Sequence, residues 1–130
     1  MRTLLFILAL FTSINSFSQQ TADNCFHFKT GKFSYSDSVG VVTKITRTNN
    51  RQTEVNTQTG LLTKSKISWI SKCEYKLTQI WANRKVQRKN NRQTRTIRIV
   101  KTDGNSYAYT CNCNDPNMTI LTGVVVKTGN

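Results

Sequence analysis

The amino-acid sequence predicts a small all-β protein, an antiparallel up-and-down β-barrel of about eight strands. Apolar and polar side chains alternate along most of the chain, which is the period of a strand with one buried face. Short turn-like sequences separate these stretches, and the 130 residues contain only one proline. A β-sandwich is the alternative, but only a closed barrel leaves no unpaired edge strand.

Eight segments carry the strand pattern. They span residues 31–37, 41–47, 52–58, 62–70, 73–81, 94–101, 106–113 and 118–127. We expect one face of these strands to carry Phe33, Tyr35, Val41, Thr43, Ile45, Ile67, Trp69, Tyr75, Leu77, Trp81, Ile97, Ile99, Tyr107, Tyr109 and Cys111. The last segment contains Ile120 and the valines 124–126. The third segment is polar apart from Val55, which is typical of an edge or open strand.

The connections between the strands contain residues that favour turns. Asp103-Gly104 is the strongest hairpin signal, and Asn49-Asn50 and Thr59-Gly60 also tolerate left-handed backbone. Asp115-Pro116-Asn117 marks a further turn, because proline cannot donate to a strand ladder. Tight turns join antiparallel neighbours, so this pattern predicts a meander.

Residues 1–18 have the anatomy of a cleaved secretory signal peptide. Arg2 provides a positively charged start, and residues 4–11 form an apolar run that is too short to span a membrane. Small serines precede the expected cleavage after residue 18. We therefore expect residues 19–130 to form a single exported domain, periplasmic or secreted.

The chain is strongly basic, with 19 Lys and Arg against 6 acidic residues and a net charge of +13. Such an excess concerns partners and solubility rather than fold. Anionic lipid headgroups, lipopolysaccharide phosphates, acidic glycans and extracellular nucleic acid are candidate partners. The alternative is a generally basic solvated surface with no specific partner.

The basic residues concentrate in residues 84–98, which contain seven Lys or Arg and no acid. Residues 82–93 are too long for a tight turn, and arginines recur there at helical spacing. Only Val86 is apolar within this connection, so a helix would have no face to dock on the core. We therefore predict an extended hairpin tip or mobile loop.

Positive charge concentrated on such a loop can neutralise phosphates or sulfates, and the affinity falls as salt rises. We predict a polyanion-binding surface formed by Arg84, Lys85, Arg88, Lys89, Arg92 and Arg95. Trp81, Tyr107 and Tyr109 are candidates for stacking beside it. The alternative is that these aromatic residues belong to the core and the charges form a solvated tip.

The barrel interior is a second candidate site. We predict an apolar cavity for a small hydrophobic ligand, lined by Phe33, Trp69, Leu77 and Tyr109. The alternative is a solid interior filled by the barrel's own side chains. A third hypothesis is a structural or inhibitory protein that caps a partner through an exposed face.

Four cysteines allow three disulfide pairings. In a meander, Cys25 and Cys73 lie at one end of the barrel and Cys111 and Cys113 lie at the other, so the topology favours a Cys25–Cys73 disulfide. Alternate strand residues such as Cys111 and Cys113 are near the upper distance limit for bridging. A strained redox-active disulfide, a metal site and a structural or incidental role all stay open for that pair.

The sequence offers little catalytic chemistry. The only histidine, His27, lies between two phenylalanines, and Glu54 and Glu74 lie on strands with no evident common site. Phosphate-binding loops, nucleophile elbows and zinc-binding helix motifs are absent from the sequence. We therefore expect a binding or envelope-associated protein rather than an enzyme, with no cofactor and no metal.

Three stretches carry a resemblance to a known family. They are CFHFKTGKFSY at 25–35, the run from ITR at 45–47 to a strand containing Gln52 and Glu54, and ISWISKCEYKL at 67–77. Together they resemble a family of small exported proteins of Bacteroidota whose function is not established. The positions of Cys25 and Cys73 match that family's cysteine pair, so the resemblance implies the same disulfide. It implies no activity.

Gly31-Lys32-Phe33 is similar to the Gly-x-Trp sequence that opens the first strand of lipocalin-like barrels, with Phe33 in place of tryptophan. This looser similarity implies a meander barrel of lipocalin-like architecture. It also implies a role in carrying a small hydrophobic molecule.

Overall fold

The computed structural model describes residues 24–112 and 121–130. Residues 1–23, which include the predicted signal peptide, and residues 113–120, which include Cys113, lie outside the described residues. No helix in the described ranges is both long enough and apolar enough to cross a membrane.

The described residues form eight strands and two short 3₁₀ helices. The strands are β1 (Gly31–Ser36), β2 (Val42–Arg47), β3 (Arg51–Asn56), β4 (Leu62–Ser71), β5 (Glu74–Ala82), β6 (Thr94–Asp103), β7 (Ser106–Asn112) and β8 (Leu121–Gly129). Helix η1 (Phe26–Phe28) precedes β1, and η2 (Lys85–Asn90) lies between β5 and β6. These bounds follow the predicted segments closely, because the alternation of side chains and the preference of turn residues are local properties that can be read from a few neighbouring positions.

The strands form one closed antiparallel barrel. Each strand pairs with the next one along the chain, and β8 pairs with β1. The predicted up-and-down barrel is therefore confirmed over the sandwich. The prediction of an edge position for the third strand is wrong, since β3 pairs with both β2 and β4. The strand is polar because several of its side chains face a polar part of the barrel interior.

The two ends of the barrel differ. We call them the η1 end, which also holds the β2–β3, β4–β5 and β6–β7 turns, and the η2 end, which also holds the β1–β2 and β3–β4 connections. Phe28 of η1 is 2% exposed, and its ring lies 5.0 Å from that of Tyr107, so η1 covers its end of the barrel. His27 contacts Asn105 through its ring nitrogen, and Lys127 donates to the His27 carbonyl oxygen.

A disulfide fixes η1 to the barrel. Cys25 and Cys73 are bonded, with their Cα atoms 5.1 Å apart, which confirms the predicted pairing. The bond joins the residue before η1 to the β4–β5 turn, 48 residues along the chain. A structural disulfide of this kind indicates an oxidising compartment. Cys111 is also disulfide-bonded.

The core consists of inward-facing side chains from all the strands except β3. The buried apolar residues on strands include Phe33, Ile45, Ile67, Tyr75, Leu77, Ile97, Ile99, Tyr107, Cys111 and Val125. Trp81 is an exception to the predicted inner face, since it is 38% exposed while its neighbour Ala82 is fully buried. The register between β4 and β5 shifts at Lys64 and Ser65, and this bulge reverses which side chains of β5 point inward.

The connection between β5 and β6 is more ordered than the predicted mobile loop. It forms η2, and polar contacts rather than an apolar face hold the helix in place. The Gln79 amide donates to the Gln87 carbonyl at 2.9 Å and to Asn91 Oδ1 at 3.0 Å. Arg88 Nε donates to the carbonyl of Ala82 at 2.9 Å. The prediction of an extended hairpin tip or mobile loop did not include this helix, because hydrogen bonds to Gln79 and Ala82 rather than an apolar face hold it on the barrel.

Candidate functional site

Two adjoining cavities occupy the barrel interior. The outer cavity, at the η2 end, has a volume of about 280 Å³, and the inner cavity, toward the η1 end, about 260 Å³. Both are lined by Thr43, Glu54 and Arg95, which mark the boundary between them. The interior is therefore not completely filled by the side chains of the barrel.

The outer cavity has polar walls. Side chains with amide groups line it from three elements of the fold and the segment after η2: Asn56, Gln79, Gln87, Asn90 and Gln93. Helix η2 lies across this end and contributes two of them. Amides both donate and accept hydrogen bonds, so this entrance accommodates polar groups of either kind.

The inner cavity combines apolar walls with hydroxyl and charged groups. Its aliphatic lining comes from four different strands: Ile45, Leu77, Ile97 and Val125. Four tyrosines, Tyr35, Tyr75, Tyr107 and Tyr109, also line it. The alternation of each strand places these side chains inward, whereas their neighbours point to solvent.

Arg47 lies at the η1 side of the inner cavity and is 2% exposed. Its guanidinium donates to Gln52 Oε1 at 2.7 Å and to the Phe28 carbonyl at 2.8 Å. Its Nη2 donates to the hydroxyls of Tyr75 and Tyr107, both at 3.0 Å. Arg47 thus connects η1, β3, β5 and β7 at one point.

Aromatic rings surround the same guanidinium. Its central carbon lies 4.8 Å from the ring centroid of Phe33 and 4.7 Å from that of Tyr75. Ring faces attract cations, and the attraction strengthens where water is excluded. Among the described residues Arg47 takes part in no ion pair. Its charge is therefore stabilised by neutral acceptors and π systems.

A relay leads from Arg47 to the boundary between the cavities. Gln52 accepts from Arg47 and its amide nitrogen donates to Glu54 Oε1 at 2.7 Å. The same oxygen lies 3.9 Å from Nη2 of Arg95, which is a loose ion pair. Polar residues on β3 are thus explained by their position inside the barrel rather than at a sheet edge.

The pKa values of three side chains that line the inner cavity, Arg47, Tyr75 and Tyr109, are raised. Burial raises the pKa of Tyr75 well above its usual value near 10, and Tyr107 adds to the rise. Burial and the nearby Tyr35 raise the pKa of Tyr109 as well. Burial by itself would lower the pKa of Arg47, but the two tyrosines outweigh it and the pKa is raised. Tyr75 and Tyr109 therefore act as neutral hydroxyls beside a permanent cation.

The predicted ligand-binding residues occupy different places. Leu77 and Tyr109 line the inner cavity, whereas Phe33 is fully buried beneath the Arg47 guanidinium. Trp69 packs against Tyr75 at the η1 end, with ring centroids 4.7 Å apart, and does not line either cavity. The structure brings two of the four together around the inner cavity.

The predicted polyanion-binding residues divide into two groups. Five are exposed on or beside η2: Arg84, Lys85, Arg88, Lys89 and Arg92. Arg95 is separate, since it lines both cavities beside Glu54. On the outer surface, Trp81 lies between Lys64 and Arg88, whose charged groups are 5.4 Å and 5.8 Å from its ring centroid.

Arg47, Gln52 and Glu54 line the inner cavity but were not predicted as site residues. The alternation of the sequence could have indicated them, because Arg47 lies on the same face of β2 as Thr43 and Ile45. Gln52 and Glu54 likewise share one face of β3. A charged residue in step with buried aliphatic residues is an indication of a polar site inside the barrel.

Comparison with protein-family models, curated proteins and solved structures found no match for this chain. The resemblance to the Bacteroidota family and to lipocalin-like barrels therefore stays a prediction. What is established is an eight-stranded antiparallel meander barrel.

Alkaline pH is expected to destabilise the fold through Tyr109. Its pKa is raised in the folded state, so the unfolded chain loses this proton at lower pH than the folded chain does. The resulting stability is present below the unfolded pKa of about 10 and is lost as pH rises above it. Urea unfolding at increasing pH should show the free energy of unfolding decrease above about pH 10. The decrease should be smaller in the Tyr109→Phe variant. An identical pH profile in the variant would contradict the assignment.

Proposed function

We propose that this protein is an exported binding protein that holds a small, partly apolar organic ligand inside its barrel. The observation that carries the proposal is the inner cavity of about 260 Å³, which has aliphatic walls. At its η1 side it has a polar floor formed by Arg47, Tyr75 and Tyr107. Small-molecule sites typically have volumes of roughly 300–1,000 Å³ and a few placed polar groups in an apolar lining. The adjoining outer cavity shares three lining residues with the inner one, and the two volumes together lie within that range.

The η2 end is the proposed entrance. The outer cavity lies there, and η2 packs on the barrel through hydrogen bonds rather than through buried apolar residues. Glu54 and Arg95 lie at the boundary with the inner cavity. Their ion pair is loose, with 3.9 Å between the charged atoms, so either side chain could contact a polar group of a ligand that passes between them. The opposite end is covered by η1 and held by the Cys25–Cys73 disulfide.

Binding is favoured over catalysis. Glu54 is engaged by Gln52 and Arg95, and the raised pKa values of Tyr75 and Tyr109 keep both hydroxyls protonated at neutral pH, so neither is available as a general base. The lining is also more polar than the apolar cavity expected from the sequence, since Arg47, Glu54 and four tyrosines line it beside the aliphatic residues.

Filling the inner cavity should abolish binding. Ile97 lines the cavity, so Ile97→Phe places extra atoms in the space that the ligand would occupy. We expect the affinity for N-phenyl-1-naphthylamine, a neutral fluorescent probe, to fall at least about tenfold, since steric exclusion of a ligand costs on that order. Fluorescence titration measures this change.

The matched control is Val100→Phe on the same strand, because Val100 is 41% exposed on the outside of the barrel. This variant should bind the probe like the wild type. Equal binding by the Ile97→Phe variant, with its fold intact by circular dichroism, would refute an interior site.

A second candidate function is binding of an anionic polymer at the η2 end. It is favoured by the exposure of Lys85, Lys89 and Arg92 and by the position of Trp81 between two cations. Such a surface suits sulfated or phosphorylated glycans, because it combines charge with a stacking ring.

A charge-matched pair of triple variants tests this second function. Lys85→Ala/Lys89→Ala/Arg92→Ala removes three charges from the η2 end, and Lys32→Ala/Lys72→Ala/Lys101→Ala removes three exposed charges elsewhere. If the η2 end is the site, the first variant should elute from immobilised heparin at clearly lower salt than the second. Equal elution would show that only net charge matters.

A further inference from the structure

The floor of the inner cavity is rich in hydrogen-bond donors. Arg47, Tyr75 and Tyr107 all line it, and each of the three side chains is at most 2% exposed. Groups this deeply buried have no access to bulk water, so their hydrogen-bonding capacity must be met inside the barrel.

A count of hydrogens shows one hydroxyl donor in excess. The hydroxyl oxygens of Tyr75 and Tyr107 both accept from Arg47, and they lie 3.2 Å from each other. That contact uses one of their two hydrogens, whichever residue donates it. In the described part of the chain no other acceptor contacts either hydroxyl. The second hydrogen is available to an acceptor placed in the cavity.

The charges around the inner cavity sum to a positive value. Of the described residues that line it, Arg47 and Arg95 are cations and Glu54 is the single carboxylate. Tyr75 and Tyr109 add no negative charge at physiological pH, because burial raises the pKa of both hydroxyls. Glu54 lies at the boundary with the outer cavity, so the uncompensated charge belongs to the floor.

The remaining walls restrict the rest of the ligand. Ile45, Leu77, Ile97 and Val125 line the space above the floor, and an aliphatic or aromatic body would pack against them. One net positive charge matches a monoanion. A dianionic phosphate would bring an additional charge into a buried site with no partner for it.

We propose that the ligand is a small monocarboxylic acid, whose carboxylate rests on the Tyr75 and Tyr107 hydroxyls above Arg47 and whose apolar body fills the cavity toward Arg95. This inference rests on the proposed function and identifies the chemical class of its ligand. The carboxylate accepts a hydrogen bond from whichever of the Tyr75 and Tyr107 hydroxyls does not donate to the other, and its negative charge compensates that of Arg47.

Octanoate and octanol form the decisive pair of probes, because they share one chain and differ in the anionic group. Isothermal titration of the full mature protein should show octanoate binding at least about tenfold more tightly, which is a typical advantage of a charge-assisted hydrogen bond in a buried site. Equal affinities would overturn the carboxylate inference and leave the proposed function standing. If neither alcohol nor acid binds while N-phenyl-1-naphthylamine does, the inference is again overturned and the interior site stands.

Two charge-removing variants locate the carboxylate. Arg47→Met should abolish the preference for octanoate over octanol, whereas Arg51→Met, which removes an exposed charge from the outside of the barrel, should retain it. An undiminished preference in the Arg47→Met variant would overturn the floor site.

A wild-type measurement covers the case in which Arg47→Met does not fold. Octanoate labelled with ¹³C at the carboxyl group can be titrated by NMR while bound. A carboxylate on this floor should keep its charge to lower pH than free octanoate does, because a neighbouring cation and a hydroxyl donor favour the ionised form. An unshifted or raised pKa of the bound acid would overturn the inference.

Discussion

The buried guanidinium of Arg47 is the constraint on which the rest of the structure depends. A buried cation is costly unless its donors are satisfied, and Arg47 satisfies them with partners from distant parts of the chain. One of these partners is the carbonyl oxygen of Phe28 in η1, so the N-terminal segment must be in place for the network to be complete.

The Cys25–Cys73 disulfide contributes to that placement. It fixes the residue before η1 against the β4–β5 turn, at the same end of the barrel as Arg47. In a domain of this size the hydrophobic core alone is a limited source of stability, and a covalent link across the chain supplements it. The disulfide and the arginine network therefore close the same end by different means.

Closure of one end has consequences for the interior. The polar layer around Arg47 forms a floor, and the amides beneath η2 form a second polar layer at the other end. Between them lie the aliphatic side chains of β2, β5, β6 and β8. A cavity with charged and hydroxyl groups at its base and apolar walls above is suited to an amphipathic molecule, and the residual positive charge makes an acid the better match.

Much of the fold was predictable from the sequence, because alternation and turn residues act over a few positions. Phe33, Ile45 and Leu77 are buried as expected, and the pairing of Cys25 with Cys73 follows from strand parity in a meander. Trp81 was assigned to the wrong face of β5. A bulge opposite Lys64 and Ser65 shifts the inward–outward alternation by one residue, and no residue type in the sequence marks this bulge.

The candidate site was less predictable than the fold. Arg47 was overlooked because a charged residue at a strand end normally faces solvent, and three of its four partners lie 19, 28 and 60 residues away along the chain. Gln52 and Glu54 suggested an edge strand because polarity alone does not distinguish an exposed strand from one that lines a polar cavity. Such contacts depend on tertiary structure and emerge only when the barrel is closed.

The most direct test of the account is the free energy of unfolding in urea for Arg47→Lys beside Arg51→Lys. Both substitutions keep the charge, but only Arg47 is buried, and lysine cannot reproduce the planar fork that reaches four acceptors. We predict a loss of about 2 kcal/mol for Arg47→Lys and less than about 0.5 kcal/mol for the exposed Arg51. Equal and small losses in the two variants would contradict the claim that the barrel depends on Arg47.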